Sequence, residues 1–185
     1  MATVSQRLIT AEEFARMPDP PDGSQQELVQ GMIVTMPPPG GRHGACCSRI
    51  GRRVGNHVDD HGLGTVTSND TGFITERNPD TVRGPDISFW KKARLPEVPE
   101  GYIEIPPDLA IEVVSPNDHY SCVQKRVRHF LSHGVSRVWV VDPEDRSVTV
   151  YRAPDQAVIL GENDILADED VLPGFRCRVA DLFPA

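Results

Sequence analysis

The sequence predicts a mixed α/β domain, a β-sheet with helical cover, on three observations. A strand–helix–strand pattern runs across residues 109 to 141, ending in the unbroken apolar run Val138-Trp139-Val140-Val141. A right-handed crossover makes its two strands parallel neighbours. One long amphipathic stretch and several short strand patterns precede this unit, and further β pieces follow it. The 185 residues suit a single domain, 1–185, with a sizeable core.

From the N-terminus, Thr10-Ala11-Glu12-Glu13 has the form of a capping box and predicts a short helix to about Met17. Pro18 to Ser24 is a loop. Glu27-Leu28-Val29 and Met32-Ile33-Val34 flank Gln30-Gly31, a hairpin turn. From Arg42 to His61 the residues Cys47, Ile50, Val54 and Val58 step by three, four and four, one face of a helix. Strands are expected near Gly64–Ser68 and Thr71–Thr75, with Arg77 to Arg83 a turn-rich connection. Lys91 to Pro107 is Pro-rich and expected to be an exposed loop. After the strand bearing Glu112, Ser115-Pro116-Asn117-Asp118 turns into a helix from about His119 to His133. Tyr120, Val123, Val127, Phe130 and Leu131 lie on its apolar face, and Gly134 stops it. Asp142-Pro143-Glu144-Asp145 turns into Ser147–Tyr151, after which one or two β pieces and a short terminal segment remain.

Composition narrows the function. A net charge of −8 argues against a surface that is basic all over, although a local basic groove can still bind nucleic acid. Cys46, Cys47, Cys122 and Cys177 show no C-x-x-C spacing, which argues against a zinc site, and the adjacent pair reads as helix packing. The expectation is a reduced, cytoplasmic protein with no signal peptide and no membrane span.

Two short segments carry the chemistry. Gly84-Pro85-Asp86-Ile87-Ser88-Phe89 and Asp108-Leu109-Ala110-Ile111-Glu112-Val113-Val114 each set a carboxylate in or beside a buried strand pattern. A buried charge is costly unless paired or bound to a cation. Asp86 and Glu112 therefore point to a divalent-metal site, with the backbone carbonyl of Val113 as a third oxygen donor. A hard cation such as Mg²⁺ takes oxygen ligands and keeps several waters. The alternative is an Asp at a strand start and a Glu paired with an Arg. Glu27 is a third candidate acid, acting through water or a second ion; an acid on an edge strand can equally be just solvated. Lys125, Arg126 and Arg128 follow on the next helix, where Arg126 falls at the edge of the apolar face and Lys125 opposite it. His43 stands at the start of the long helix as a contact for phosphate or water, or as a simple cap. Arg42, Arg49, Arg52 and Arg53 add a local positive stripe, for phosphate or for solubility.

With these residues in view, the chain resembles the Uma-two-type family of putative restriction endonucleases, within the PD-(D/E)-x-K nuclease superfamily. The likeness rests on Glu27-Leu28-Val29-Gln30-Gly31, His43, Val82-Arg83-Gly84-Pro85-Asp86, Pro107 to Pro116, and Gly134-Val135 leading to Val138-Trp139-Val140-Val141-Asp142-Pro143. It implies a restriction-endonuclease-like core, a mixed sheet flanked by helices, with a magnesium-dependent nuclease site and Glu27, Asp86 and Glu112 as its acids. The chain departs from the pattern where Val114 replaces the Lys of the E-x-K form. In the family that Lys comes from the next helix, four residues before an aromatic; counting back from Phe130 reaches Arg126, with Lys125 beside it. Arg cannot serve as a general base, yet it can stabilise transition-state charge. Gln30 stands where an acid often precedes the turn glycine.

The resulting expectation is endonucleolytic hydrolysis of DNA phosphodiesters with Mg²⁺, or Mn²⁺ in its place, by a chain able to work as a homodimer. Two alternatives stay open. One is a nuclease-fold module that binds nucleic acid or protein without turnover. The other is a phosphodiesterase acting on RNA or small nucleotides.

Overall fold

A computed structural model describes residues 7–116 and 118–184; Asn117, in the expected turn after the Glu112 strand, lies outside the described residues. The capping box of Thr10 and Glu13 is formed in both directions and opens α1 (Ala11–Phe14). The helix ends earlier than the expected Met17: after Phe14 the chain tightens into i→i+3 turns, Arg16 N–H to the Glu13 carbonyl and Met17 N–H to that of Phe14, before Pro18 ends the helical path. β1 (Gln25–Val29) and β2 (Met32–Met36) form the expected hairpin. Gln30 and Gly31 both take positive φ, 52° and 73°, as a two-residue turn with the right twist demands.

α2 (Gly41–His61) leads to β3 (Gly64–Ser68), β4 (Phe73–Glu76), β5 (Thr81–Arg83) and β6 (Ile87–Lys91). β4 and β5 join the hairpin in a small antiparallel sheet ordered β2-β1-β5-β4. The expected connection from Arg77 to Arg83 thus ends in a strand, one too short to show alternation. β7 (Leu109–Val113), α3 (Tyr120–Ser132) and β8 (Arg137–Asp142) form the central crossover, and β7 and β8 pair in parallel, Leu109 against Arg137. With β9 (Ser147–Ala153) and β10 (Gln156–Leu160) they build a sheet ordered β10-β9-β8-β7-β6-β3. β11 (Ile165–Asp168) and β12 (Leu172–Arg178) close the chain as a third β unit, followed by a 3-10 turn at Val179–Leu182. Three strands therefore follow β9, more than the one or two expected.

The large sheet is buried on both faces. α2 sets Cys46, Ile50, Val54 and Val58 against Ile87, Phe89, Leu109 and Ile111, with Leu166, Leu172 and Phe175 sealing the same layer. α3 sets Val127 and Phe130 against Trp90, Ala110, Val138 and Val140 on the other. Within α2 the fully buried cysteine is Cys46 and not the expected Cys47, which is half-buried beside His43. Tyr120 is not on a core face; it is 79% exposed in the open first turn of α3. The segment from Lys92 to Pro107 is irregular, but it is not a plain exposed loop. Leu95 and Ile103 are buried, and Ile105 offers its carbonyl to the Trp90 indole N–H at 3.0 Å.

One ion pair ties the third β unit to the sheet. Arg137 on β8 is buried and places Nε 2.5 Å from Asp168 Oδ2 and an amino group 3.1 Å from Oδ1. Breaking a buried pair costs more than the pair itself contributes, because the remaining charge loses its partner. Asp170 also lies 3.3 Å from Arg137 and softens the loss. Asp168→Ala is expected to cost about 3 kcal/mol in urea unfolding, and the double change Arg137→Met with Asp168→Leu clearly less. A double variant as unstable as the single one would contradict this account.

Candidate active site

The acids meet where the two sheets approach one another. Asp86 immediately precedes β6, and β6 pairs with β7 so that Ile87 faces Ile111. One further step in that register sets Asp86 near Glu112, but the two side chains meet different helices: Asp86 is contacted by His43 from α2, Glu112 by Arg126 from α3. Asp86 Oδ2 accepts the Val113 backbone N–H at 2.7 Å. His43, in the first turn of α2, places Nε2 3.2 Å from Asp86 Oδ1. Its hydrogen bond to Asp86 raises its pKa against the opposing effect of burial, with Asp70 and the Val113 backbone assisting.

Glu27 comes from β1 and is buried, 4% exposed. It accepts from Arg83 at 2.7 Å, from the Gly84 N–H at 3.1 Å, and from Arg126 at 2.8 Å. Burial pushes its pKa up, but the two guanidinium groups and the Gly84 N–H together hold it below the usual carboxylate range. Arg126 reaches in from α3 across the Phe130 ring, whose centroid is 5.2 Å from the guanidinium carbon. Its second amino group donates to the Gly84 carbonyl at 2.7 Å, and its Nε lies 2.8 Å from Glu112 Oε2. One planar fork thus joins Glu27, Gly84 and Glu112.

Glu112 is the least satisfied of these acids. Burial pushes its pKa up to about 8, Arg126 opposes this, and the charge of Asp86 adds to it. Its Oε1 is buried with no hydrogen-bond partner among the described residues, and the Arg126 N–H at Nε is not aimed to bond Oε2. An orphaned buried carboxylate oxygen is costly unless a cation meets it. The expected donors, Asp86, Glu112 and the Val113 carbonyl, are all oxygen, the set that suits Mg²⁺ or Mn²⁺. The residues fit a hard divalent ion.

Two further side chains belong to the cluster. Arg83 is paired with Glu27, and Asp70 stands beside Asp86, its pKa pushed up to about 6 by burial and by the charge of Asp86. Asn69 and Asp70 both take left-handed geometry, φ 59° and 54°, which Asn and Asp tolerate better than most residues. That turn presses on Gly84, where a Cβ would meet the Asp70 carbonyl oxygen at 2.1 Å. Gly84→Ala is accordingly expected to displace the backbone that holds Glu27 and Arg126, lowering both the melting temperature and any activity. An alanine variant matching the wild type in both would refute this.

The cluster opens on two sides. A cavity of about 530 Å³ is lined by Val34, Arg83, Glu112, Lys125 and Arg126. Another, of about 460 Å³, is lined by His43, Cys47, Asp70 and Asp86. The structure thus joins Glu27 and Glu112 through Arg126 at the first cavity and Asp86 to His43 at the second, with the Val113 backbone between them. Lys125 is exposed and stands at the rim of the first cavity. The sequence marks Arg83 only within Val82-Arg83-Gly84-Pro85-Asp86, and no spacing marks Asp70.

A mixed sheet with acids at the ends of adjacent strands, and a cation from the crossover helix, defines the restriction-endonuclease-like class. The Uma2 family, described as putative restriction endonuclease, matches residues 11–180, and the chain belongs to that family. Its structure is similar to that of a putative nuclease belonging to DUF820 from Anabaena variabilis ATCC 29413. The two are 26% identical, with a TM-score of 0.78 over 95% of this chain and 97% of that one. No curated protein matches the chain.

Proposed function

We propose that this chain is an endonuclease that hydrolyses DNA phosphodiesters with Mg²⁺, or Mn²⁺, as cofactor. The observation that carries this reading is the orphaned Glu112 oxygen at a cavity edged by Arg83, Lys125 and Arg126, with Asp86 near enough for its charge to raise the Glu112 pKa. Asp86, Glu112 and the Val113 carbonyl would hold the ion. When bound, it supplies Lewis-acid polarisation of a phosphoryl oxygen and makes a water more acidic. Arg126 stays protonated and offsets charge that develops on the phosphoryl group. Glu27 and the Gly84 carbonyl hold the Arg126 fork in place. His43, kept basic by Asp86, contacts a phosphate or water. Lys125 attracts the nucleic-acid backbone from the rim.

The test is nicking of supercoiled plasmid with Mg²⁺ or Mn²⁺, beside an Asp86→Ala control. Single-stranded DNA, RNA and dinucleotides are run in parallel. Cleavage of RNA or dinucleotides alone would replace DNA as the substrate. Cutting both strands is simplest with two sites related by a two-fold axis, so a homodimer is expected in solution by light scattering. Lys125→Ala is expected to weaken DNA binding uniformly across sequences and to reduce the salt slope by about 0.9. An unchanged slope would remove Lys125 from the DNA path.

One observation favours a second reading, a module without turnover. Arg126 stands where the family places lysine and already spans Glu27 and Glu112 as a self-neutralised cluster. Absence of cleavage with every metal and substrate, together with retained DNA binding, would select it.

A further inference from the structure

We infer that Glu76, His129 and His133 form a second metal site, suited to a zinc-like transition-metal ion and built from none of the acidic centre's ligands. The ligand atoms of these three residues all lie within 4.8 Å of one another. His129 and His133 are four residues apart on α3, so they share one helix face, and their ring centroids are 4.2 Å apart. Glu76 faces them from β4.

The hydrogen bonds around the site orient its ligands, His129 by the Thr75 hydroxyl, 2.9 Å from its Nε2. His133 Nδ1 is 2.7 Å from the His129 carbonyl oxygen, which can only accept, so Nδ1 carries the proton. Nε2 of a neutral His133 then presents a lone pair, and it faces Glu76 Oε1 at 3.1 Å. Two acceptors at that separation repel unless a cation, a proton or a metal ion, joins them. Glu76 is itself held in place: Oε2 accepts from the Thr81 hydroxyl at 2.7 Å and from the Gln30 amide. Such outer partners orient ligands toward a metal. Ligation would use the neutral imidazoles of both histidines. Arg83 opposes a cation here, but its guanidinium is paired with Glu27.

The donor set names the ion class. Two imidazoles and one carboxylate suit Zn²⁺, with a water completing the tetrahedron, and not the all-oxygen preference of Mg²⁺. The side chains of His133 and Glu76 are 25% and 29% exposed, so the ion can enter from solvent. Its effect would be structural. It would staple α3, one turn beyond Arg126, to the small sheet whose β1 carries Glu27, steadying the Arg126 fork. This inference does not depend on the nuclease reading.

The experiment uses the full chain, stripped of metal, with Zn²⁺ alone and Mg²⁺ alone as probes in thermal melts and calorimetric titration. Zn²⁺ is expected to bind at one equivalent in this site. At about a hundredfold excess over Kd it should raise the melting temperature by roughly 5 °C. His129→Gln and His133→Gln should each remove that rise, and Cys47→Ser and Asp86→Asn should keep it. Where a histidine variant melts much lower than wild type without metal, Glu76→Gln, which keeps the hydrogen bonds of Glu76, gives the deciding titration. The inference is overturned if Zn²⁺ gives no saturable response, since a proton alone then joins His133 to Glu76. It is equally overturned if the response survives the histidine and Glu76 changes, or is lost in Cys47→Ser, which would assign the ion to His43, Cys47 and Asp86.

Discussion

Asp86→Asn is expected to reduce plasmid cleavage by about a thousandfold or more, a loss of roughly 4 kcal/mol in transition-state stabilisation. The change removes one negative charge and leaves the shape nearly intact, so the Val113 N–H and His43 contacts to residue 86 can persist in part. What it removes is the charge opposite Glu112 that would hold a divalent ion. The same loss should appear without any substrate. Mg²⁺ or Mn²⁺ is expected to raise the melting temperature of the wild type by mass action, and to do so weakly or not at all in Asp86→Asn. Glu112→Gln should behave alike in cleavage. Its metal-free stability should hold or rise, because a neutral amide relieves a buried carboxylate whose Oε1 has no partner. A saturable Mg²⁺ response identical in wild type, Asp86→Asn and Glu112→Gln would place the ion elsewhere and end the metal assignment.

The parts of the fold that were legible in the sequence are those with local chemistry or a long apolar signal. The Thr10 capping box, the Gln30-Gly31 turn and the Val138–Val141 strand each carry their own cause: a cap, two positive φ values, and burial on both faces. The rest depended on distant partners. β5 is only three residues long, and it is a strand because Val82 pairs with Leu28 and Ile74. Leu95 and Ile103 sit in a Pro-rich segment, yet α3 and Phe73 give them a core to join. Helical spacing placed Cys47 on the core face, while packing buries its neighbour Cys46, about 100° away around α2. For the site, the apolar flanks of Asp86 and Glu112 were the cue, and they mark a burial that asks for a cation. Helix phase favoured Arg126 over Lys125 for the same reason: one lies at the edge of the core-facing stripe and the other opposite it. Asp70 and Arg83 left no such trace. Asp70 enters the cluster because a left-handed turn presses it onto Gly84, and Arg83 because β5 lies beside Glu27. Both are consequences of pairing between strands far apart in the chain.

Arg126→Ala is expected to cost stability and activity together, and the divalent ion should separate the two effects. Without the guanidinium, Glu27 keeps Arg83 and the Gly84 N–H, but Glu112 loses the charged neighbour at Oε2 and the Gly84 carbonyl loses its donor. Breaking a buried pair from one side costs about 3–5 kcal/mol. Mg²⁺ is then expected to raise the melting temperature more in Arg126→Ala than in wild type, because the ion takes over charge that Arg126 neutralises. Cleavage, assayed well below the melting temperature and at saturating metal, should fall by about tenfold or more, the size of one lost charged contact of ~1.4 kcal/mol. Arg126→Lys should lie between in stability, since an ammonium cannot span Glu27, Gly84 and Glu112 with one planar fork. Its cleavage should match or exceed wild type, because a lysine can shift its pKa and give up a proton where an arginine cannot. Lys125→Ala should leave turnover nearly unchanged from its exposed place at the rim. The assignment of Arg126 fails if Lys125→Ala removes turnover while Arg126→Ala retains it. If wild type and Arg126→Lys are both inactive with Mg²⁺ and Mn²⁺ on every substrate, the fork is structural alone and the chain is a binding module that keeps its acids neutralised.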